Sequence, residues 1–526
     1  MRKLFTLTFV FLISFTWLYG QNKTVTGTVK DSQSMMALPG VSVSISGKSG
    51  GAQTDEAGRF SLEASSTDSL VFSFIGYLSQ TIAVGDKDQI NVFLDDENMA
   101  LEEVVVVGYG TQKKVDLTGS IGSVKAEEIV KQPAMSAMQS IQGKVAGLNV
   151  TASEAPGSTP QVTIRGLGTA LGGRNPLYIV DGFPTDNLNS INPADIESIN
   201  VLKDASSASI YGVRAANGVI MVTTKKGRVG SVKIGYEGYA GMKNMLNRVK
   251  MADASQYIQY YNENIQGIGR GTLLASSQAN NTDWFEEILQ NGTVFNNSIN
   301  ISGGSEIVDY FFSANNFTEQ GIIDGSKFTR NTIRNNNTYK FLDNKLKFIQ
   351  TLNLSFNKST PKPFGAFNDA YRQTPLAPVM FDNGRYGTSI YNTTTGVAGY
   401  QTQPGEATGN LNSIGNPVYA IQRANQLLNN TRLQGGIEAE YQIFDFLKIN
   451  SRIGGTKIFS NERSFTDIKD AWLNGSPLRT EADFNKLKND NPNVTQYANN
   501  SLMYKKNEDF RWQWETFLTY DKNFNG

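Results

Sequence analysis

The chain has no cysteine and no histidine among its 526 residues. That excludes a disulfide framework, a thiolate zinc site, a cysteine nucleophile and any His-based catalytic triad. Carboxylate and Ser–Lys chemistry stay open, but the commonest general acid–base side chain is missing. No catalytic residue, metal-ligand set or cofactor motif is therefore assigned, and the reading is that the protein is not an enzyme. Charge excess is also lacking: Lys+Arg and Asp+Glu both number 48. A balanced chain carries no electrostatic footprint for nucleic acid. Two phosphate-binding motifs fail as well. Gly47-Lys48-Ser49 lacks the glycine five residues upstream, where Ser42 stands, and Gly166-Leu167-Gly168 lacks the rest of a dinucleotide fingerprint.

Long apolar runs are absent with one exception. Arg2 and Lys3 precede the run Leu4 to Leu18, and Gly20 offers a small residue for cleavage. The run falls short of the ~20 residues a membrane-spanning helix needs, so residues 1–20 are expected to be a signal peptide and the mature chain to start near Gln21. With no cysteine following, a lipid-anchored N-terminus is excluded. The apolar fraction of 39% and the mean hydropathy of −0.32 exclude a helical membrane bundle. They do not exclude a barrel, whose strands turn only every second side chain to lipid.

What is present divides into four stretches. Residues 21–95 show short strands punctuated by turns, such as Leu38-Pro39-Gly40 and Thr54-Asp55-Glu56-Ala57-Gly58, and predict a small β-sandwich. Residues 96–115 form a linker containing Val104-Val105-Val106-Val107-Gly108-Tyr109-Gly110. Four β-branched residues in a row favour extended chain. Such a segment is either an ordinary buried strand or a strand offered to another protein's sheet edge. Residues 116–228 mix helix and strand. Pro133 opens a helix carrying Met135, Met138, Ile141 and Val145, with Gly147 as its C-terminal cap. Asp204 caps a second helix that Gly212 ends.

From residue 229 to 526 the pattern is long strands of period two. Leu346, Phe348, Leu352, Leu354 and Phe356 oppose Lys345, Lys347, Thr351, Asn353 and Ser355. Leu433, Ile437, Ala439, Tyr441 and Ile443 oppose Arg432, Gln434, Glu438, Glu440 and Gln442; Trp512, Trp514, Leu518 and Tyr520 oppose Arg511, Gln513 and Glu515. Eight such strands are expected, at roughly 232–242, 294–303, 307–318, 329–341, 345–357, 430–443, 446–458 and 510–523. A soluble sheet with one wet face alternates in the same way. Strand length, aromatic ends and export favour a transmembrane barrel. Eight strands cannot enclose the preceding α/β domain, whereas about 22 leave a plugged lumen. The chain is therefore expected to be an incomplete barrel, some fourteen strands short.

The ordered motifs resemble the SusC/RagA family of TonB-dependent outer-membrane transporters. Leu101-Glu102-Glu103-Val104-Val105-Val106-Val107-Gly108-Tyr109-Gly110-Thr111-Gln112 looks like the junction ahead of the plug. Gln142-Gly143-Lys144-Val145-Ala146-Gly147-Leu148, Val162-Thr163-Ile164-Arg165-Gly166 and Pro176-Leu177-Tyr178-Ile179-Val180-Asp181-Gly182 follow in family order. The run from Val201 to Ile220, with Lys203, Asp204, Tyr211, Gly212, Arg214, Asn217 and Gly218, is the most specific stretch. Residues 21–95 look like the family's carboxypeptidase-regulatory-like domain, including Phe72-Ser73-Phe74-Ile75-Gly76-Tyr77.

The resemblance implies a mainly β protein: a sandwich, a TonB-dependent receptor plug at 116–228, and the first part of a 22-stranded transmembrane barrel. It implies location in the outer membrane, with plug and sandwich in the lumen or on the periplasmic side. It implies active import driven by TonB with ExbB and ExbD, acting on Glu103, Val104, Val105, Val106, Val107, Gly108, Tyr109 and Gly110. It also implies a SusD-like lipoprotein lid and an oligosaccharide substrate, with an oligopeptide, or a binding protein or pore that does not transport, as alternatives. No signalling domain is expected ahead of the sandwich. Arg165, Arg174 and Arg214 are candidates to pair with carboxylates of the barrel wall, or are structural, as Asp181 is expected to be. Tyr371, Tyr386, Tyr391 and Tyr400 lie in a long loop where they would stack on sugar rings or pack among themselves.

Overall fold

A computed structural model describes residues 23–32, 34–48, 50–95, 104–107, 110–113, 120–132, 134–168, 173–204, 208–265, 272–273, 280–399, 403, 405–491 and 500–522. The expected signal peptide, Pro133, Tyr400, Glu103, Gly108 and Tyr109 lie outside the described residues. The chain forms two compact units. The first holds residues 1–105 and 112–116, and the second residues 106–111 and 117–526.

The first unit contains the expected sandwich. Strands β1 (Lys23–Asp31), β4 (Arg59–Ala64) and β7 (Val92–Leu94) make one sheet in the order β4-β1-β7. Strands β2 (Ser42–Ile45), β3 (Gly51–Gln53), β5 (Ser69–Ser73) and β6 (Gln80–Ala83) make the other, in the order β3-β2-β5-β6. Alternate residues point inward because successive side chains of a strand leave opposite faces. Val25, Val29, Val43, Leu70 and Phe72 thus meet in one apolar core, with Phe60 edge-on to Phe72 at 5.3 Å between ring centres. The Val104–Val107 stretch is extended, as its β-branched run predicts. As β8 it pairs in a two-stranded sheet with β9 (Gly110–Lys113).

The second unit holds the α/β domain and the long strands. Its five-stranded sheet runs β10-β15-β16-β13-β14, formed by β10 (Ile121–Lys125), β13 (Leu177–Val180), β14 (Phe183–Thr185), β15 (Ile196–Leu202) and β16 (Val219–Thr224). A separate hairpin pairs β11 (Leu148–Thr151) with β12 (Gln161–Ile164). Of the long helix expected from Pro133 to Val145 only one short helix forms, α2 (Ala137–Ser140), followed by turns; another, α1 (Ala126–Val130), precedes that span. Ser136 and Gln139 form a capping box on α2, and Gly143 at φ 77° turns the chain soon after its end. Met138, Ile141 and Val145 still enter the core, because turns can carry apolar side chains to the same place. The second expected helix is a 3₁₀ segment, Ser209–Ala215, which Gly212 kinks rather than ends.

Eight antiparallel strands follow in chain order: β17 (Gly230–Lys243), β18 (Gly292–Gly304), β19 (Val308–Gln320), β20 (Lys327–Phe341), β21 (Leu346–Thr360), β24 (Asn425–Phe444), β25 (Leu447–Thr466) and β26 (Ser501–Tyr520). A short hairpin, β22 (Ile390–Asn392) with β23 (Thr408–Asn410), sits in the loop before β24. The sheet is open, with β17 and β26 each bonded to one neighbour. Turns at 305–307, 342–345 and 445–446 are tight. At the other rim, 244–291, 361–424 and 467–500 are long, and 321–326 is short. β24, β25 and β26 have 20 residues each, which at about 3.3 Å per residue exceeds a tilted crossing of the hydrocarbon core. They must therefore project beyond it on the long-loop side.

The faces of this sheet are inverted relative to a soluble one. Trp512 and Trp514 on the outer face are 64% and 67% exposed, while Arg330 and Arg334 on the inner face are 0% and 2% exposed. A water-soluble sheet buries its apolar face. This one buries its polar face and leaves its aromatics and aliphatics outside, which is stable only if the outer medium is itself apolar.

Candidate functional site: the interface between plug and wall

The β13–β14 hairpin turns through Asp181 and Gly182, at φ 50° and 89°. Two consecutive left-handed residues make the tight turn whose twist matches the flanking strands. The turn holds the Asp181 carboxylate against β16 and β20. Asp181 Oδ1 accepts from the Thr224 backbone N–H at 2.9 Å. Its Oδ2 accepts from Thr224 Oγ1 at 2.8 Å and from Arg334 Nη1 at 3.0 Å. Thr224 Oγ1 in turn accepts from Arg334 Nη1 at 2.8 Å and from Asn336 Nδ2 at 3.0 Å. Low permittivity strengthens such a closed network and makes a broken member costly.

Further contacts repeat the theme. Arg330 Nη1 donates at 2.9 Å to the carbonyls of both Met135 and Asn189, and its guanidinium lies 5.3 Å from the Phe317 ring centre. Asn353 donates to Ser190 O at 3.2 Å, Gln513 to Gly182 O at 3.1 Å, and plug Asn192 to wall Ser298 Oγ at 3.0 Å. Arg432 pairs with Asp186 at 3.5 Å, and Arg511 also pairs with Asp186. Lys243 bridges wall Glu319 at 2.7 Å and plug Glu154 at 3.3 Å.

The polarity is the reverse of the pairing offered as one alternative for the plug arginines. The wall supplies the cations and the plug the acceptors, whereas Arg165, Arg174 and Arg214 are exposed and make no ion pair among the described residues. Arg432 and Arg511 already stood on the polar parity of their strands, but nothing local announced that Arg330, Arg334 or Asp186 would meet across the interface.

The remaining signature residues shape the plug itself. Gly166 and Gly212 hold left-handed backbone, at φ 90° and 62°. Gly218 combines φ 87° with a tight fit: a Cβ there would lie 2.7 Å from Ile164 Cδ1 and 2.9 Å from Leu202 O. Gly218→Ala should therefore cost about 1–3 kcal/mol, checked by the denaturant midpoint of the purified protein. Asn217 Nδ2 donates to Gly173 O at 2.6 Å, tying two loops together. Asp204 Oδ2 accepts from the Ser120 N–H at 2.6 Å, Tyr211 OH reaches Met221 Sδ at 3.9 Å, and Lys203 lies partly buried beside Gly122.

Among the loop tyrosines, Tyr391 is buried against Tyr261, and Tyr386 packs on Tyr419 at 4.8 Å. Tyr371 is exposed. Two of the three described tyrosines of this set therefore pack. An unexpected cluster joins it: Tyr419 OH donates to Asp470 Oδ2 at 3.0 Å, and Arg423 lies 5.5 Å over the Tyr419 ring. Burial first, then the Asp470 hydrogen bond, pushes the Tyr419 hydroxyl up to about 12.

Asp195, closing the 3₁₀ turn Pro193–Asp195, is fully buried. Burial holds its carboxyl above the usual range, while Arg334, a Ser313 hydrogen bond, Lys225 and Arg330 pull it down. A carboxyl raised in this way binds its proton more tightly in the folded state. Its stabilising contribution is present at low pH and is lost as pH rises from the unfolded value of about 4 through the folded one. Asp195→Asn should remove this loss. Protease resistance of the plug should then be flatter with pH than in the wild type, and higher at neutral pH.

Residues 113–219 match the family described as TonB-dependent Receptor Plug Domain, and residues 25–106 match the CarboxypepD_reg-like domain. SusC of Bacteroides thetaiotaomicron, a TonB-dependent receptor, is 33% identical over 458 residues, covering 83% of this chain and 44% of SusC. A TonB-dependent receptor of Formosa agariphila is 38% identical over 371 residues, covering 69% of this chain and 37% of its own. Of solved structures, the RagAB peptide transporter shares the fold with a TM-score of 0.56 at 23% identity, covering 66% of this chain and 42% of that one. The chain spans less than half the length of these curated relatives. With its regulatory-like sandwich, its plug and a sheet turned inside out for lipid, the chain belongs to the SusC/RagA family of TonB-dependent receptors and is an outer-membrane protein.

Proposed function

We propose that this protein takes part in active import of an oligosaccharide across the outer membrane, with TonB and its ExbB–ExbD partners supplying the force and a SusD-like lipoprotein covering the long loops. The observation that carries this reading is the interface between plug and wall. A permanently seated domain would bury an apolar contact. This one is mostly polar, with the Asp181–Arg334 pair buried, the Asp186 pairs more exposed, and buried atoms such as Asn353 Oδ1, Gln434 Oε1 and Arg330 Nε that have no protein partner; its apolar contacts are small, Met135 against Phe317 and Phe328, and Phe183 on Gly436 and Gly454. Peripheral hydrogen bonds of this kind exchange with water at little cost, whereas the buried Asp181–Arg334 pair is the contact that an applied force has to break.

Force enters through residues 103–110. An extended β-branched strand can join a partner's sheet edge, and tension along it loads several main-chain hydrogen bonds together. In this structure Val104–Val107 pairs with Gly110–Lys113, so a partner strand would either replace that pairing or add to its free edge.

The test is uptake of labelled oligosaccharides by cells lacking this gene, with and without the native protein restored. Expected is loss of oligosaccharide uptake, restored only when TonB is present. Uptake that persists without TonB would indicate a passive pore. Loss of labelled oligopeptide uptake instead would move the substrate class to peptides.

A further inference from the structure

The outer face of the wall carries a groove that import does not explain. Two glycine doublets lie side by side, Gly435-Gly436 on β24 and Gly454-Gly455 on β25, with Gly435 opposite Gly455 and Gly436 opposite Gly454. The wall is thin there on both faces. On the inside, Gly436 and Gly454 receive the ring of plug residue Phe183, which occupies the space where both Cβ atoms would stand. On the outside, Gly435 and Gly455 form a floor without side chains.

Around this floor stand Leu352, Leu433, Ile453, Phe510 and Trp512, enclosing about 560 Å³. That volume falls within the range of ~300–1,000 Å³ typical of ligand clefts. Register places Leu433, Lys457 and Phe510 in one row on the long-loop side, directly above the glycine row. Lys457 Nζ lies 3.1 Å from Glu508 Oε2, and Lys506 Nζ lies 3.1 Å from Glu508 Oε1. Arg463 lies further along the same face of β25 and is exposed. Lys457 and Lys506 therefore share one carboxylate where the apolar band ends, with Arg463 four residues beyond the row of Glu508. On β24 that band runs from Ile443 to Leu433, and on β26 from Tyr520 to Phe510. Ten residues of tilted strand correspond to the ~25 Å apolar belt of an outer-membrane barrel.

We propose that this groove is a binding site for a single outer-membrane lipid, with one acyl chain lying over Gly435 and Gly455 and a phosphate-bearing headgroup meeting Lys457 and Lys506. The occupant follows from the surroundings. The cleft opens onto the lipid-facing side, is lined by apolar groups, and ends in net positive charge at the depth of a headgroup. The inner dimple is already filled by Phe183, so the site is one-sided. A seated acyl chain would also back the wall at the point where the plug's ring presses on it.

The test uses the protein purified from its native outer membrane in detergent. It is incubated with phosphatidylglycerol or phosphatidylcholine of identical acyl chains and read by native mass spectrometry. Expected is one retained lipid per chain, with phosphatidylglycerol preferred. Lys457→Gln should reduce that preference about fivefold while phosphatidylcholine retention stays unchanged. Ile453→Trp, which fills the cleft from an outward-facing position, should abolish retention of both. Retention that is equal for the two lipids and unaffected by either variant would overturn the proposal. So would a dimer or a bound protein that Ile453→Trp releases, since the groove would then be a protein contact.

Discussion

Deleting residues 103–110 from the protein in its native membrane should abolish substrate uptake while leaving surface binding of substrate and the folded barrel intact. This is the largest functional effect expected. The plug–wall hydrogen bonds and ion pairs named above are made by other residues, so the deletion is expected to leave the plug seated. What is lost is the handle. A gentler variant, Val105→Pro, removes one main-chain donor and fixes φ near −65°, which disfavours strand pairing without shortening the chain. It should reduce uptake nearly as far as the deletion. Uptake measured with a labelled substrate, beside binding measured on intact cells at low temperature, separates the two steps. Wild-type uptake in the deletion strain would place the energy-coupling segment elsewhere.

The second large effect is structural. Arg334→Met should loosen the plug by about 3–5 kcal/mol, because it strands the buried Asp181 carboxylate and an acceptor site of Thr224 Oγ1. At about 1.4 kcal/mol per tenfold, the unseated population should rise by about two to three and a half orders of magnitude. The readouts are leak conductance in planar bilayers and sensitivity of cells to large antibiotics that the intact outer membrane excludes. Asp181→Asn combined with Arg334→Met should recover part of the loss, since the pair then presents no unpaired charge and Asn still accepts from Thr224. An Arg334→Met protein as tight as wild type would show that this network does not hold the plug. Arg330→Met is a useful companion. It strands two carbonyls but no carboxylate, so its effect should be smaller.

Much of the architecture was legible in the chain. All eight long strands appear in the expected order, the first five within about three residues of their expected bounds, and the tight turn at Asp343 and Asn344 appears with both residues at positive φ, 54° and 67°. The last three overrun most: β24 begins at Asn425 rather than near residue 430, β25 runs to Thr466 rather than 458, and β26 begins at Ser501 rather than 510. The polar stretch Asn425–Thr431 has little apolar alternation to reveal it, and its strand character comes from pairing with β25 beyond the membrane. The helix expected from Pro133 to Val145 fails for a related reason. Its apolar spacing is genuine, but Gly143 takes a left-handed conformation that an unbroken helix forbids.

The candidate site was legible in its parts and not in its pairing. Arg432, Gln434, Arg511 and Gln513 were identified as the polar side of their strands, and Asp181 as a turn residue. That Asp181 meets Arg334, 153 residues away, depends on sheet register and on where the plug sits, and neither is encoded in a local window. The tyrosines show the same limit. Tyr371 and Tyr391 have similar local surroundings, yet one is exposed and the other is enclosed by Tyr261 and the β22–β23 hairpin.

The sequence by itself determined the long strands, their order and the two-faced character of each, because alternation is a property of consecutive residues and the pleat. The family followed from motifs of the same local kind. Only the tertiary structure decided which face is buried, that wall arginines rather than plug arginines hold the interface, and that two glycine doublets align into one thin spot. These outcomes depend on register between distant strands, where a shift of one residue would turn every one of those side chains to the opposite face.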